Sequence, residues 1–202
     1  MDDTNRKTIE SYEVSINQYI QNTPNSGGAV VEGWIDESIK DLNLDSKILE
    51  IGSAYGRDAK YIEDKGFHVE KTDATQGFVD LLLKKDPTSH SLNIVTDQLI
   101  GTYDLVIANA VLLHLNDKEA VEVSKKIFDV LNNGGIFALT LKQGEGKAWQ
   151  NNKGMAQRFF NYWHKDDIVE LLLNVGFVNI NAWVDETDSP NASWIMVVAK
   201  KA

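Results

Sequence analysis

The residues best equipped for chemistry stand together at Glu50-Ile51-Gly52-Ser53-Ala54-Tyr55-Gly56-Arg57-Asp58. A short apolar run, Lys47–Ile51, leads straight into this small-residue turn, and a helical pattern opens at Arg57. Glycine lets the backbone approach a ligand and adopt conformations that a side chain forbids. The N–H groups at a helix start supply polar anchoring. A dinucleotide turn uses G-x-G-x-x-G to hold a pyrophosphate, and the spacing here is different. Glu50 stands two places before the first glycine, and a carboxylate there suits a ligand with a cationic amine and no phosphate. Asp73, 17 residues after Gly56, ends the next alternating run. A carboxylate at a strand end can accept hydrogen bonds from both hydroxyls of a ribose.

Elements must position these groups. Apolar spacing over 4–22, with Ile9, Tyr12, Ile16, Tyr19 and Ile20 on one face, predicts a helix. Thr23–Gly28 breaks it, and a second helix is expected over 29–42. A helix over 57–65 stops at Gly66, where a C-terminal cap is expected. Strand 67–72 ends at Asp73, and a helix over 78–85 is halted by Pro87. Further strands are expected at 92–95, 103–108 and 136–141, with helices over 118–131 and 165–175. Two last strands, 177–185 and 193–200, have only Glu186–Asn191 between them and should pair antiparallel. Strands alternating with helices predict an α/β fold, a three-layer Rossmann-like arrangement. Its seven-stranded sheet is mostly parallel, carries helices on both faces and ends in an antiparallel pair.

Composition narrows the function. The chain has 202 residues, which suits one domain. The expected organisation is a helical cap over 1–28, a core over 29–202, and a substrate-pocket insertion near 143–164. Hydrophobic residues make up 43% and charged residues 25%, enough apolar material for a core without staples. There is no cysteine, which excludes disulfides, thiolate metal sites and cysteine nucleophiles. The net charge of −10, with no basic stripe, disfavours nucleic acid. No run approaches the roughly 18 apolar residues of a membrane span, and no apolar leader opens the chain. A soluble, cytoplasmic protein without metal is expected, as a monomer or homodimer.

Glu50–Gly56 resembles the E/D-x-G-x-G-x-G motif of class I S-adenosylmethionine-dependent methyltransferases, with Ala54 at the middle glycine. Asp73 resembles the family's second motif. Tyr103-Asp104-Leu105-Val106, followed by Leu113-His114, resembles its fourth strand and loop, and Gly134-Gly135-Ile136-Phe137 resembles the turn into the fifth strand. The resemblance runs from about residue 29 to residue 200. It implies S-adenosyl-L-methionine as cofactor, leaving S-adenosyl-L-homocysteine. It also implies a seat built from Glu50, Gly52, Ser53, Ala54, Gly56, Arg57, Asp73, Ala74, Asp97, Gln98, Asn109, Ala110 and His114. Asp97 with Gln98 would hold the adenine amino group; the other reading is a solvated loop.

Methyl transfer is an in-line displacement, so the protein mainly aligns the partners and excludes water. A general base is needed only if the nucleophile must lose a proton. His114 is the candidate base; otherwise it packs beside the cofactor and contacts only backbone. His68, His90 and His164 read as surface or packing residues, with His164 able to approach the site. Arg158, Tyr162 and Trp163 suit a small organic anion or ring, or else start a helix that plugs the core. The Gly-, Asn- and Lys-rich stretch 143–154 reads as a mobile lid. Tyr12 either packs on the sheet or contacts the cofactor's methionyl end. The expected activity is methylation of an oxygen or nitrogen on a small molecule. The alternatives are a cofactor-binding protein of the same fold without turnover, and a methyltransferase acting on a macromolecule.

Overall fold

The computed structural model describes residues 3–151, 154–185 and 193–202. Among the described residues nine strands form: β1 (Ile48–Ile51), β2 (Val69–Asp73), β3 (His90–Ser91), β4 (Tyr103–Ala108), β5 (Leu131–Lys142), β6 (Lys147–Gln150), β7 (Arg158–Asn161), β8 (Phe177–Asp185) and β9 (Trp194–Lys201). The helices are α1 (Thr4–Glu13), α2 (Ile16–Asn22), α3 (Gly28–Ile39), α4 (Arg57–Glu63), α5 (Gln76–Leu83), α6 (Asp117–Val130) and α7 (Lys165–Val175). Seven strands make one sheet in the order β3-β2-β1-β4-β5-β9-β8. The β1–β2, β1–β4, β2–β3 and β4–β5 pairs are parallel, whereas β9 pairs antiparallel with both β5 and β8. This is the expected Rossmann-like topology. The proposed connection 186–191 lies outside the described residues.

Both faces of the sheet are covered, which is why its central strands read as unbroken apolar runs. On one face Leu49, Val106, Phe137 and Val197 pack with Val123 and Ile127 of α6 and Ile168 and Leu172 of α7. On the other, Ile48, Leu105, Ile107 and Ala138 pack with Trp34 and Ile35 of α3 and Ile62 of α4. The buried Trp34 indole N–H donates to the carbonyl of Val197 at 3.1 Å, so its single polar atom is satisfied.

Four differences from the sequence reading touch the site. The helix expected over 4–22 is two helices, because Ser15 is buried at the break and its Oγ accepts the N–H of Ala156. A short polar side chain that captures distant backbone competes with helix continuation. The strand expected at 92–95 lies instead at His90–Ser91, in register with Thr72 and Asp73. The stretch 143–154, read as a mobile lid, carries regular structure at β6, which pairs with β7. Arg158–Asn161 is therefore a buried strand and does not start a helix.

Helix α6 is closed at its start by a reciprocal pair. Asn116 Oδ1 accepts the Glu119 N–H at 3.0 Å, and Glu119 Oε2 accepts the Asn116 N–H at 2.9 Å. Two orphan donors of the first turn are thereby satisfied. Replacing Asn116 with Ala should lower unfolding free energy by about 1 kcal/mol. Urea denaturation checks this, and an unchanged midpoint and slope would deny the cap its role.

Candidate cofactor site

The turn after β1 is held in an uncommon conformation. Gly52, Ala54 and Gly56 have φ of 72°, 49° and 83°. A Cβ on Gly52 would lie 2.5 Å from Cγ2 of Val111, so the close approach of two turns demands glycine there. Ala54 is a left-handed alanine, a strained state that must be held from outside. Its holder is Asp73, whose Oδ2 accepts the Ala54 N–H at 2.8 Å while Oδ1 accepts the Thr75 N–H at 2.8 Å.

Other amides of this turn are directed inward as well. Ser53 N–H donates to the Thr72 carbonyl and Gly56 N–H to the Ser53 carbonyl, both at 2.8 Å. Together with Ala54, three donors that a phosphate-binding turn would offer are spent on the protein. The Asp73 carboxyl stands in their place at the cavity wall and the Glu50 carboxyl lies buried beneath the turn, so the cleft disfavours a phosphate.

A cavity opens beside this turn. Gly52, Ala54, Asp73, Ala74, Asn109, Ala110 and His114 line it, and all seven were expected at a cofactor seat. Thr75, Phe78, Asn93 and Ile94 also line it, and α1 with Tyr12 forms its roof. A second lobe continues past Gly52 and Ala54 to Ser53, Arg57 and Asp58, and shares Asn109 and Ala110 with the first. Glu50 is 3% exposed beneath the turn, and its Oε2 has no hydrogen-bond partner among the described residues. Gly56 lines neither lobe; it lines an outer groove that shares Tyr55 and Arg57 with the second.

Asp97 and Gln98 are exposed and line neither lobe. Because β3 ends at Ser91, immediately before the expected strand, Asn93 and Ile94 reach the cavity in their place. Asp97 fixes that loop: its Oδ2 accepts the Asn93 N–H at 2.8 Å. Lys126 of α6 holds the same loop by donating to the carbonyls of Ile94, Val95 and Asp97 at 3.0, 2.8 and 2.9 Å. An asparagine directly after an apolar residue at a strand end was the available signal.

His114 ends a short 3₁₀ turn, Leu112–His114, after β4. Its Nδ1 lies 2.5 Å from the carbonyl of Phe159, which can only accept. Nδ1 therefore carries the hydrogen, and Nε2 accepts the Tyr12 hydroxyl at 2.9 Å. Arg158 in turn donates to the Tyr12 oxygen at 3.0 Å, with its guanidinium over the rings of Tyr12 and Phe160. Burial, with the Arg158 charge adding to it, pushes His114 down to about 3, so the imidazole is neutral at physiological pH. Tyr12 is thus a cap residue joined to His114 and Arg158.

Arg158 is buried in β7 and lines neither lobe; Tyr162 and Trp163 do not line them either. The Tyr162 hydroxyl accepts from Gln150 at 2.6 Å, and Trp163 packs in the core with Phe160 and Ile168. His68, His90 and His164 are exposed.

Glu50 carries a clear electrostatic signature. Burial foremost, then the neighbouring Asp58 charge, push its carboxyl up to about 8. Burial also raises Asp73, against which its two backbone hydrogen bonds work.

With this geometry in place, comparison with known proteins gives one answer. The model of a methyltransferase domain family matches residues 29–182. The chain belongs to that family, the class I S-adenosylmethionine-dependent methyltransferases. A phosphoethanolamine N-methyltransferase of Plasmodium falciparum is 22% identical over 188 residues, 88% of this chain and 70% of that one. A carboxy-S-adenosyl-L-methionine synthase of Psychrobacter is 27% identical over 96 residues, which is 46% of this chain and 35% of the synthase. The chain thus spans about a third of the length of that relative. Among solved structures, a magnesium protoporphyrin IX methyltransferase of Synechocystis with bound S-adenosylhomocysteine superposes with TM-score 0.74 at 14% identity, covering 98% of this chain and 99% of that one. A Burkholderia thailandensis 1,6-didemethyltoxoflavin-N1-methyltransferase gives 0.73 at 15% identity, covering 98% and 87%.

The raised Glu50 carboxyl predicts a pH dependence without any ligand. The folded chain keeps this proton to higher pH than the unfolded chain does. Stability should therefore fall as pH rises from about 4.5 to about 8. Thermal unfolding across that window should show the fall in the native protein and a flatter profile in Glu50→Gln. Equal slopes in both would contradict the buried, unpaired carboxyl.

Proposed function

We propose that this chain binds S-adenosyl-L-methionine in the two-lobed cleft and transfers its methyl group to an oxygen or nitrogen of a small-molecule acceptor. One observation carries the reading: Asp73, left-handed Ala54 and the Asn109–Ala110 turn border one cleft, above a buried carboxylate with an unused oxygen. The donor set fits the cofactor. A carboxylate offers about four acceptor positions, and the turn uses two of those on Asp73, leaving room for a ribose diol. An ammonium group bound above Glu50 would favour loss of the carboxyl proton and so gain a negative partner. Asn93 and Ile94 border the lobe where a nucleobase would lie.

When bound, the cofactor supplies a methyl group already activated on a sulfonium sulfur. The chain has to orient the acceptor and keep water out. Helices α1 and α2 serve the second task. Thr8 Oγ1 accepts the Phe159 N–H at 3.2 Å, and Asn5 Oδ1 accepts from Asn93 at 2.8 Å. The cap is thus fastened both to β7 and to the loop after β3. Tyr12 presents the hydroxyl held between Arg158 and His114. Held down at about 3, the imidazole is too weak a base to keep the acceptor's proton, so in this reading His114 orients the Tyr12 hydroxyl. Small-molecule substrates are named for the Plasmodium and Burkholderia relatives, and the enclosed cleft with its cap supports the same class here.

Titration calorimetry with S-adenosylhomocysteine tests the seat. Asp73→Ala and Glu50→Ala should each weaken binding by about 1–3 kcal/mol. No heat with folded native protein, or unchanged affinity in both variants, would refute it. A screen of small acceptors with methyl-labelled cofactor then tests transfer. On the acceptor found, Tyr12→Phe should lower turnover by about tenfold if that hydroxyl orients the acceptor. Intact turnover would remove the positioning role.

A further inference from the structure

The end of β4 carries a second left-handed alanine. Ala110 has φ of 57° and lines both lobes of the cleft. No glycine relieves it, so something must hold it. Its N–H donates to Oγ1 of Thr140 at 2.9 Å, and Thr140 is fully buried in β5. The Thr140 hydroxyl has one hydrogen, and it goes to Oδ1 of Asn109 at 2.6 Å. The Asn109 amide then donates through Nδ2 to Oδ2 of Asp58 at 2.7 Å. Arg57 closes the chain with Nε and a terminal nitrogen on the same carboxylate at 2.7 and 3.0 Å.

Every hydrogen in this series points one way, from Ala110 through Thr140 and Asn109 to Asp58. The direction fixes which end of the Asn109 amide faces which neighbour, and it leaves the amide no alternative flip. The series joins the first turn of α4 to the turn after β4 and to β5, three elements that meet at the cleft. It also sets where Val111 presses against Gly52. The opposite end of the cleft, at Asp73 and Asn93, takes no part in it.

We propose that Thr140, Asn109 and Asp58 form a positioning chain that holds Ala110 in its left-handed state and thereby shapes the seat for the amino-acid end of the cofactor. This rests on the methyltransferase reading of the cleft. Thr140 touches no ligand in this account; it acts through Asn109 and Ala110. Valine at position 140 keeps the shape but removes both the acceptor for Ala110 and the donor for Asn109. A partly buried donor left unpaired is costly. The cost should fall on one end of the ligand only.

The test compares two ligands on the full chain by calorimetry. S-adenosylhomocysteine has the amino-acid end; 5′-methylthioadenosine keeps the nucleoside and sulfur but lacks it. Thr140→Val should bind S-adenosylhomocysteine about tenfold more weakly and leave 5′-methylthioadenosine within about twofold of native. Thr140→Ser, which restores the hydroxyl, should recover native affinity for both. A general packing defect would weaken both ligands alike and would not be rescued by serine, and that pattern overturns the proposal. Unchanged affinity for S-adenosylhomocysteine overturns it as well. If the native chain binds neither ligand, the reading of the cleft itself falls, and the positioning role falls with it. Asp58→Asn provides an independent arm and should show the same one-sided loss.

Discussion

The bond from the Ala54 N–H to the Asp73 carboxylate is the constraint on which the site is built. It fastens the turn after β1 to the end of β2 at 2.8 Å. Holding a non-glycine residue in the left-handed region costs about 1–2 kcal/mol, and this charge-assisted bond offsets that cost where it arises. The same bond removes an N–H from the cleft and adds an anion to it. With Ser53 and Gly56 also donating inward, the turn ceases to be a phosphate cradle. Its polarity is reversed relative to a dinucleotide turn of the same shape. Ligand choice between a pyrophosphate and a sulfonium nucleoside thus follows from where a few backbone hydrogens point.

The rest of the molecule supports that arrangement from three sides. The parallel strands bring β1, β2 and β4 to one edge with their carboxyl ends together, where ligands bind in open α/β folds. Lys126 and Asp97 pin the loop after β3, so that Asn93 and Ile94 face the cavity. The N-terminal cap covers the cleft with a face rich in hydroxyls and amides. Thr8, Ser11 and Ser15 bond to the stretch 156–159, and Tyr12 meets His114. The cap adds to these bonds an aromatic cluster in which Tyr12 and Tyr19 pack edge-on with each other and against Phe78 of α5.

Much of this was legible in the sequence. Buried strands such as Tyr103–Ala108 announce themselves as apolar runs, and α7 and β8 begin and end where Gly176 and the local pattern say they should. The acid-and-small-residue turn, with Asp73 at fixed distance, located the cleft. The misses share one cause, which is partners far apart in sequence. Ser15 breaks the first helix because of Ala156, and β3 is two residues long because β2 sets its register. The β6–β7 hairpin shows no alternation, since all four residues of β7 are buried, and it was missed for that reason. Asp97 lies outside both lobes, four residues beyond Asn93, which lines the first. His114 lines the cavity, and its tie to Tyr12, 102 residues away, could not be read from spacing.

The central claim is that a nucleoside sits on Asp73 while the amine of the same ligand meets the carboxylate beneath the turn. A crystal structure of the chain grown with S-adenosylhomocysteine measures this directly. The account predicts ribose hydroxyls on the Asp73 carboxylate, adenine against Asn93 and Ile94, and the amino-acid end at Asn109 and Ala110. A ligand seated elsewhere, or bound in the reverse direction along the cleft, would contradict it.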